Sequence, residues 1–132
     1  MRNFSYFCNL KGNRFMNDRL FRLVLMDEAA SFLRALPVKA RDKIAYNIRR
    51  IEKGEKDNEL FKKLEGSEIW EFRTIYFRTA YRLFAFWDTE KETLVIATHG
   101  IVKKSQKIPS TEIEKVKKIR IEYFKNKQLW KK

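Results

Sequence analysis

Hydrophobic residues near the start of the chain first run together and then recur at helical spacing. The run Leu20 to Met26 is rich in strand-forming residues and predicts a β-strand. From Asp27, a residue type that caps helices, apolar residues return every three or four positions and predict a helix. Pro37 ends that helix and starts a second one, Val38 to Lys53, which Gly54 closes. The pattern therefore predicts a strand followed by a helical hairpin.

The second half of the chain carries strand-like runs in quick succession and then one more helical stripe. The runs are Glu68 to Phe77, Thr79 to Trp87 and Thr93 to Thr98, and Gly100 is expected to end the third. Their connections are too short for parallel crossovers, so these runs predict an antiparallel meander. After Pro109, apolar residues at helical spacing predict a last helix.

The predicted order of elements is strand, two helices, three strands and a helix, which indicates an α+β fold. We expect a small, twisted, mostly antiparallel sheet with the helical hairpin on one face, and a C-terminal helix. Residues 1–19 have no clean period and are predicted to be an N-terminal extension of uncertain role, with an ordinary first strand or helix as the alternative. We expect residues 1 to about 17 to be dispensable for function. Residues 20–127 are predicted to form the folded domain, and residues 128–132 a basic tail.

The composition fits one compact domain. The chain has 132 residues, of which 44% are hydrophobic and 14% aromatic, which is enough for a core and argues against disorder. Cys8 is the single cysteine and His99 the single histidine, so an intramolecular disulfide and the usual His/Cys zinc spacings are excluded. No apolar run approaches the ~20 residues of a membrane span, and no clean signal segment is present. We therefore expect a cytoplasmic protein with no metal, no cofactor and no membrane partner.

The formal net charge of +13 makes a polyanion the first partner to consider. This excess is larger than the ~2–8 charges that keep a small domain soluble. Nucleic acid or a ribonucleoprotein therefore fits better than a merely solubilising surface, and an acidic protein also fits. Part of the charge lies on the outer face of the second predicted helix, at Lys39, Arg41, Lys43, Arg49, Arg50 and Lys53.

The sequence lacks the standard catalytic signatures. It contains no glycine-rich phosphate loop, nucleophile elbow, paired-cysteine motif or metal-binding helix motif, which argues against nucleoside triphosphate chemistry. What remains is a concentration of cations and aromatics on the predicted meander and beside it. The candidates for binding RNA in this region are Lys62, Lys63, Arg78, Tyr81, Lys103 and Lys107.

Residues of these types can also cleave RNA without a metal. The 2′-hydroxyl attacks its own 3′-phosphate when a base takes its proton and cations stabilise the charge on phosphorus. Arginines suit the phosphate because their forked donors stay charged. Alternation puts Glu71 and Arg73 on one face of their strand, with Trp70 and Phe72 on the other. Taken alone, Glu71 and Arg73 are as well explained by a surface ion pair.

Two further residues keep two interpretations each. His99 is predicted to end its strand at the sheet rim, where an imidazole could act as acid or base, although a lone histidine is more often structural. Arg82 shares strand parity with Phe84 and Phe86, which indicates either a stacking platform for bases or a second buried face. Core packing is the safer interpretation of the two phenylalanines.

Four segments in fixed order carry a resemblance to a known family. They are Phe61-Lys62-Lys63-Leu64-Glu65-Gly66, Ile69-Trp70-Glu71-Phe72-Arg73, Tyr81-Arg82-Leu83-Phe84 and His99-Gly100-Ile101-Val102-Lys103-Lys104-Ser105-Gln106-Lys107-Ile108-Pro109. With these segments and its element order, the chain from Leu20 to about Phe124 resembles the RelE/ParE superfamily of bacterial toxins, and most closely its HigB-like, phage-derived branch. The resemblance implies a RelE-like fold.

The resemblance also implies a function and partners. It implies the toxin of a type II toxin–antitoxin pair, which enters the ribosomal A site, cuts mRNA there, and is held inactive by a cognate antitoxin, often a helix-turn-helix protein. By position, Arg73 and Arg82 match arginines that contact the scissile phosphate in RelE-like members. Lys103 or Lys104 falls where another basic residue supports the transition state.

The sequence departs from RelE at one position that matters for proton transfer. RelE has a lysine where Glu71 stands, so the acid and base cannot be copied from it, and His99 and Glu71 are the proton carriers we put forward. Two other functions stay open. ParE-like members share the fold but inhibit DNA gyrase by binding it, and a phage-derived RNA-binding protein without catalysis is a third interpretation.

Overall fold

The computed structural model describes residues 20–90, 93–103 and 107–130. The predicted extension, residues 1–19, lies outside the described residues, and so do Lys104 and the side chain of Lys103. The elements are β1 (Arg22–Leu25), α1 (Asp27–Arg34), α2 (Val38–Glu52), β2 (Phe61–Lys63), β3 (Trp70–Tyr76), β4 (Thr79–Trp87), β5 (Leu94–Lys103) and α3 (Ser110–Trp130).

The strands form one five-stranded sheet in the order β1-β5-β4-β3-β2. β1 runs parallel to β5, and each of the other neighbouring pairs is antiparallel. The α+β class, the mostly antiparallel sheet and the β3-β4-β5 meander are thus confirmed. The parallel β1–β5 pair places the N-terminal strand at the edge next to the last strand.

Each face of the sheet has its own apolar core. On one face, called the hairpin face, α1 and α2 pack through Leu33 and Ile48 against Leu83 and its neighbours. On the other, the α3 face, Val116 and Tyr123 pack against Phe84, Phe86 and Ile96. Alternation along β4 produces this division, because successive side chains point to opposite faces. Arg82, Phe84 and Phe86 therefore all lie on the α3 face. This agrees with the second buried face that their shared parity indicated as one interpretation.

The structure corrects several predicted boundaries. Asp27 is the first helical residue of α1, and the N-cap position is Met26, which makes no side-chain cap hydrogen bond. β2, a strand of three residues, was not predicted because so short a run has no period to detect. α3 continues to Trp130, beyond the expected start of a basic tail at residue 128.

The most consequential correction concerns the end of β5. Gly100 was expected to end the third strand of the meander, but β5 continues through it to Lys103. A side chain at Gly100 would overlap the ring of Phe32 on α1, so this glycine allows a close approach of helix and strand instead of breaking the strand. As a result, His99 lies inside the strand and not at its end.

Candidate functional site

Two arginines face each other across β3 and β4. Arg73 is the direct partner of Arg82 in the antiparallel register, so both side chains leave the same face of the sheet. Arg82 shares that face with Phe84, which packs in the α3 core. Like charges directly opposite each other destabilise a sheet. In this pair each arginine is bonded to a different carboxylate.

Arg82 forms a buried ion pair with Glu71. Glu71 is completely buried and Arg82 is 2% exposed, and the Nη1 of Arg82 donates to Oε1 of Glu71. The second oxygen of Glu71, Oε2, has no hydrogen-bond partner among the described residues. The ion pair expected for Glu71 does form across the strands, with Arg82 on β4, but it is buried and does not lie at the surface. Removing either member of a buried pair leaves an uncompensated charge.

Arg73 is held much less tightly. Its Nη1 lies 3.4 Å from Oε2 of Glu59, whose side chain is 83% exposed, and exposed ion pairs of this kind contribute little. The Nε of Arg73 is buried and has no hydrogen-bond partner among the described residues. Of the two arginines, Arg73 is therefore the one whose guanidinium is only weakly paired and partly exposed.

A cleft of about 200 Å³ opens beside Arg73, between α2 and the part of β3 that follows its pairing with β2. Its lining residues are Lys43, Asn47, Arg50, Glu59, Leu60, Arg73 and Ile75. Nδ2 of Asn47 donates to Oγ1 of Thr74 at 3.1 Å and fixes α2 against β3. The sequence placed Lys43 on the outer face of a helix, and nothing in the helical period indicates that this face turns toward the arginine of a strand.

Arg50 is a second cation of α2 that lines the cleft, but its guanidinium is already paired with Glu55. Its Nε donates to Oε1 of Glu55 at 3.1 Å, and a second hydrogen bond joins its Nη2 to Oε2. The hydrogen bonds to Glu55 raise the pKa of Arg50 and outweigh the lowering by burial. Of the α2 cations that line the cleft, Lys43 is the exposed one.

His99 is buried in the middle of β5, so its predicted place at the sheet rim is wrong. It lies opposite Phe84, with the ring centroids 5.2 Å apart. Its Nε2 lies 2.8 Å from Oε1 of Glu112 on α3, and its Nδ1 lies 3.0 Å from Oγ1 of Thr98. Because a carboxylate only accepts, Nε2 carries the proton and donates to Glu112. Both ring nitrogens are thus occupied.

A register shift next to His99 sets its direction. Phe84 pairs with His99, whereas the next residue, Ala85, pairs with Ala97, so β5 contributes one extra residue, Thr98. Such a bulge changes which way the following side chains point. It turns His99 to the α3 face, beneath Glu112.

The predicted RNA-binding residues are spread over more than one surface. Lys62 and Lys63 are exposed on the edge strand β2, and Lys62 pairs with Glu71, so it stands on the α3 face. Arg78 is exposed in the β3–β4 turn. Tyr81 is half-buried and packs on the opposite, hairpin face, so it does not join the others.

The basic segment after β5 is described only in part. Lys103 is the last residue of β5 and pairs with Ala80, two residues from Arg82 along β4. Lys107 is exposed, and Lys104 lies outside the described residues. The structure therefore brings the backbone of Lys103 to the end of the sheet that carries Arg73 and Arg82.

The described residues show neither a metal-binding cluster nor a membrane-spanning helix. No three His, Cys, Asp or Glu side chains within residues 20–90, 93–103 and 107–130 come together in a way that could hold a metal ion. Within the same ranges, no helix combines the length and the apolar character that crossing a bilayer requires.

Comparison with known proteins identifies one family. A family model described as "Phage derived protein Gp49-like (DUF891)" matches residues 31–120. The match begins in α1, ends in α3 and includes every candidate residue from Lys62 to Lys107. No curated protein matches the chain.

Proposed function

Because the chain belongs to the phage-derived Gp49-like family, we propose that it is the toxin of a type II toxin–antitoxin pair, of the HigB-like branch, and cuts mRNA on the ribosome. The observation that carries this proposal is Arg73, which has a weak, exposed partner and lines a cleft with Lys43. An arginine at such a place can bind a phosphate through its forked donors. The net charge of +13 supports a polyanionic substrate.

The proposed reaction needs no metal. The 2′-oxygen of one nucleotide forms a bond to the adjacent phosphorus, and the bond from phosphorus to the 5′-oxygen breaks. A base takes the proton of the 2′-hydroxyl, and a proton is delivered to the leaving 5′-oxygen. The products are a 2′,3′-cyclic phosphate and a 5′-hydroxyl end. Cations lower the barrier by binding the charge that builds up on the phosphate oxygens.

In this proposal Arg73 binds the scissile phosphate. It is the arginine of the pair with a weak partner, it is partly exposed, and it lines a cleft with Lys43. A guanidinium can donate two parallel hydrogen bonds to two phosphate oxygens.

Arg82 acts through Glu71, which is the proposed proton acceptor. Arg82 fixes one carboxylate oxygen, while Oε2 of Glu71 keeps its lone pairs because it has no partner among the described residues. His99 is the weaker candidate, since both its nitrogens are already hydrogen-bonded. Glu71 is fully buried, so RNA reaches it only when residues of the α3 face move aside.

The proposed partners are the ribosome with its mRNA and a cognate antitoxin, for which a helix-turn-helix protein is our expectation. A chain with a net charge of +13 would bind RNA nonspecifically unless a partner covered its basic surface. An antitoxin that neutralises the cleft at Arg73 would meet this need.

The test is to add purified protein to translating ribosomes and to map the 5′ ends of the mRNA. We expect cuts in phase with codons, ends that carry a 5′-hydroxyl, and no cutting of the same mRNA without ribosomes. Ends that carry a 5′-phosphate would contradict the metal-free reaction. Intact mRNA, together with inhibition of DNA supercoiling by gyrase in a parallel assay, would replace the proposal with gyrase binding.

A further inference from the structure

The turn between β3 and β4 has an unusual backbone for its sequence. Tyr76 pairs with Thr79, so the loop has two residues, Phe77 and Arg78, with φ of 49° and 63°. Hairpin turns with two positive φ angles strongly favour Asn-Gly, because bulky side chains are strained in this region. A phenylalanine and an arginine here cost stability that other residues would not cost.

Phe77 gains little from the fold in return. It is 83% exposed, and within the part of the chain that the structure describes its ring contacts that of its neighbour Tyr76, with the centroids 4.5 Å apart. Ile75, on the same strand end, is 54% exposed. The core therefore does not explain why an aromatic side chain stands at this tip.

The charge around the tip has one sign. From Phe72 to Trp87 the sequence contains no Asp or Glu, and it carries Arg73, Arg78 and Arg82. From Leu94 to Thr111 there is again no acidic residue, and the end of β5 lies beside the start of β4. Arg73 and Arg82 are paired with Glu59 and Glu71, so Arg78 is the exposed cation beside the ring. An exposed ring next to an exposed cation is a combination that binds unpaired nucleic acid through stacking and phosphate contacts.

We propose that Phe77 stacks on an unpaired base of the RNA strand that Arg73 holds, while Arg78 contacts a phosphate of that strand. Phe77 is four residues from Arg73, or about 13 Å along β3 at ~3.3 Å per residue. This distance places the stacked base outside the nucleotides that flank the cleaved bond. The identity of the strand rests on the proposed function, whereas the stacking itself does not.

The test uses the full-length protein and a 2′-O-methyl RNA that cannot be cleaved by its 2′-oxygen, with 2-aminopurine at one position. Stacking on Phe77 quenches 2-aminopurine fluorescence, and anisotropy of a labelled copy gives the Kd. We expect Phe77→Ala and Phe77→Leu to weaken binding about 10- to 100-fold and to abolish the quenching, and Phe77→Tyr to preserve both. If Phe77→Leu binds like the parent, an apolar contact is sufficient and the stacking proposal is overturned.

A second pair of variants separates the two tip residues. Arg78→Ala should lower the slope of log Kd against log salt by about 0.7, the value for one phosphate contact on a single strand, and Phe77→Ala should leave the slope unchanged. The double change Phe77→Asn with Arg78→Gly should raise Tm by about 5 °C by relieving the turn, and weaken RNA binding. A lower Tm with unchanged binding would overturn the proposal.

Failure of this inference is distinguishable from failure of the proposed function. If the parent cuts ribosome-bound mRNA and Phe77→Ala binds RNA and cuts equally well, the tip proposal fails and the nuclease proposal stands. If nothing is cut but Phe77→Ala still loses affinity and quenching, the tip proposal stands and the nuclease proposal fails. A Phe77→Ala protein that loses only a protein partner would overturn RNA as the occupant.

Discussion

At the scale of single residues, the contact between Arg82 and Glu71 changes how the site can be tested. Both side chains are buried, so deleting the guanidinium would leave a carboxylate charge in the core. A loss of activity in Arg82→Ala would then report unfolding as readily as chemistry. The arginine that resembles a phosphate ligand is also a structural residue of the α3 face.

We predict that Arg82→Ala lowers the free energy of unfolding by about 3–5 kcal/mol, the usual cost of orphaning a buried charge. The double variant Arg82→Met with Glu71→Leu, which removes both charges and keeps the volume, should recover most of that loss. Urea unfolding followed by circular dichroism measures both. If the single variant is as stable as the double variant, the two side chains are not coupled as the structure shows.

A second prediction concerns Gly100. A methyl group there would overlap the ring of Phe32, so Gly100→Ala should destabilise the protein by about 1–3 kcal/mol through overpacking between α1 and β5. Removing the ring with Phe32→Ala in the same chain should relieve the overlap, so the double variant should lose less stability than the sum of the two single changes. Thermal melting of the single and double variants checks this, and additive losses would argue against the contact.

The residue-scale features that the sequence predicts are those that depend on alternation alone. Glu71 and Arg73 do lie on the other face of β3 from Trp70 and Phe72, because a strand places neighbouring side chains on opposite faces. The depth of His99 was not predictable in this way. It depends on an extra residue in β5 and on Glu112, which α3 brings from 13 positions along the chain.

At the scale of elements, α3 is fastened to the end of β4 by a buried polar cluster. Oδ2 of Asp88 accepts hydrogen bonds of 2.7 Å from the hydroxyl of Tyr123 and from Nζ of Lys127, which also lies 3.0 Å from Glu90. Burial raises the pKa of Asp88, but the hydrogen bonds from Lys127, Tyr123 and the backbone of Glu90 outweigh it, so the pKa is lowered.

The pKa values of the two donors, Tyr123 and Lys127, shift in the opposite direction from that of Asp88. Burial and the hydrogen bond to Asp88 raise the pKa of Tyr123. Burial lowers the pKa of Lys127, but its hydrogen bonds to Asp88 and Glu90 outweigh this and raise it. An acid whose pKa is lowered by folding stabilises the fold at pH values above its ordinary pKa. A donor whose pKa is raised by folding stabilises the fold at pH values below its ordinary pKa. The cluster should therefore stabilise α3 between about pH 4 and pH 10.

We predict that Asp88→Asn lowers the free energy of unfolding by about 1–3 kcal/mol near pH 7, since buried donors lose a charged acceptor. The difference in Tm between parent and variant should shrink as the pH falls through the lowered pKa of Asp88, which lies below its ordinary 3.8. Lys117→Ala, which removes an exposed ion pair with Glu114, is the matched control and should change Tm little. A difference that stays constant down to pH 2 would contradict the ionised cluster.

Elements were predictable where their pattern was long and local. The helices of the hairpin and the strand β4 were predicted from eight or more patterned residues. β2 was missed because a strand of three residues gains its order from β3, which it pairs with at Phe61 and Phe72. The continuation of β5 past Gly100 was missed because a distant helix, not the local sequence, gives that glycine its role.

At the scale of the whole molecule, the sheet separates support from chemistry. The hairpin face is filled by α1 and α2, and the α3 face carries the arginine pair. The cleft lies between α2 and β3, with Lys43 and Arg50 on one side and Arg73 on the other. In the proposed function, the net charge of +13 attracts RNA, and Arg73 at the cleft offers forked donors to one phosphate. The proposed function therefore depends most on Arg73.

The most direct measurement is the rate at which ribosome-bound mRNA is cut by Arg73→Ala, compared with Arg34→Ala. Both arginines are bonded to surface partners, so neither change should unfold the protein, and Arg34 lies on α1, on the opposite face. We predict that Arg73→Ala cuts about 100-fold more slowly, as expected for one donor to a developing anion, with Tm nearly unchanged. Arg34→Ala should cut at the parental rate. Parental cutting by Arg73→Ala, or an equal loss in both variants, would contradict the assignment of the scissile phosphate to Arg73.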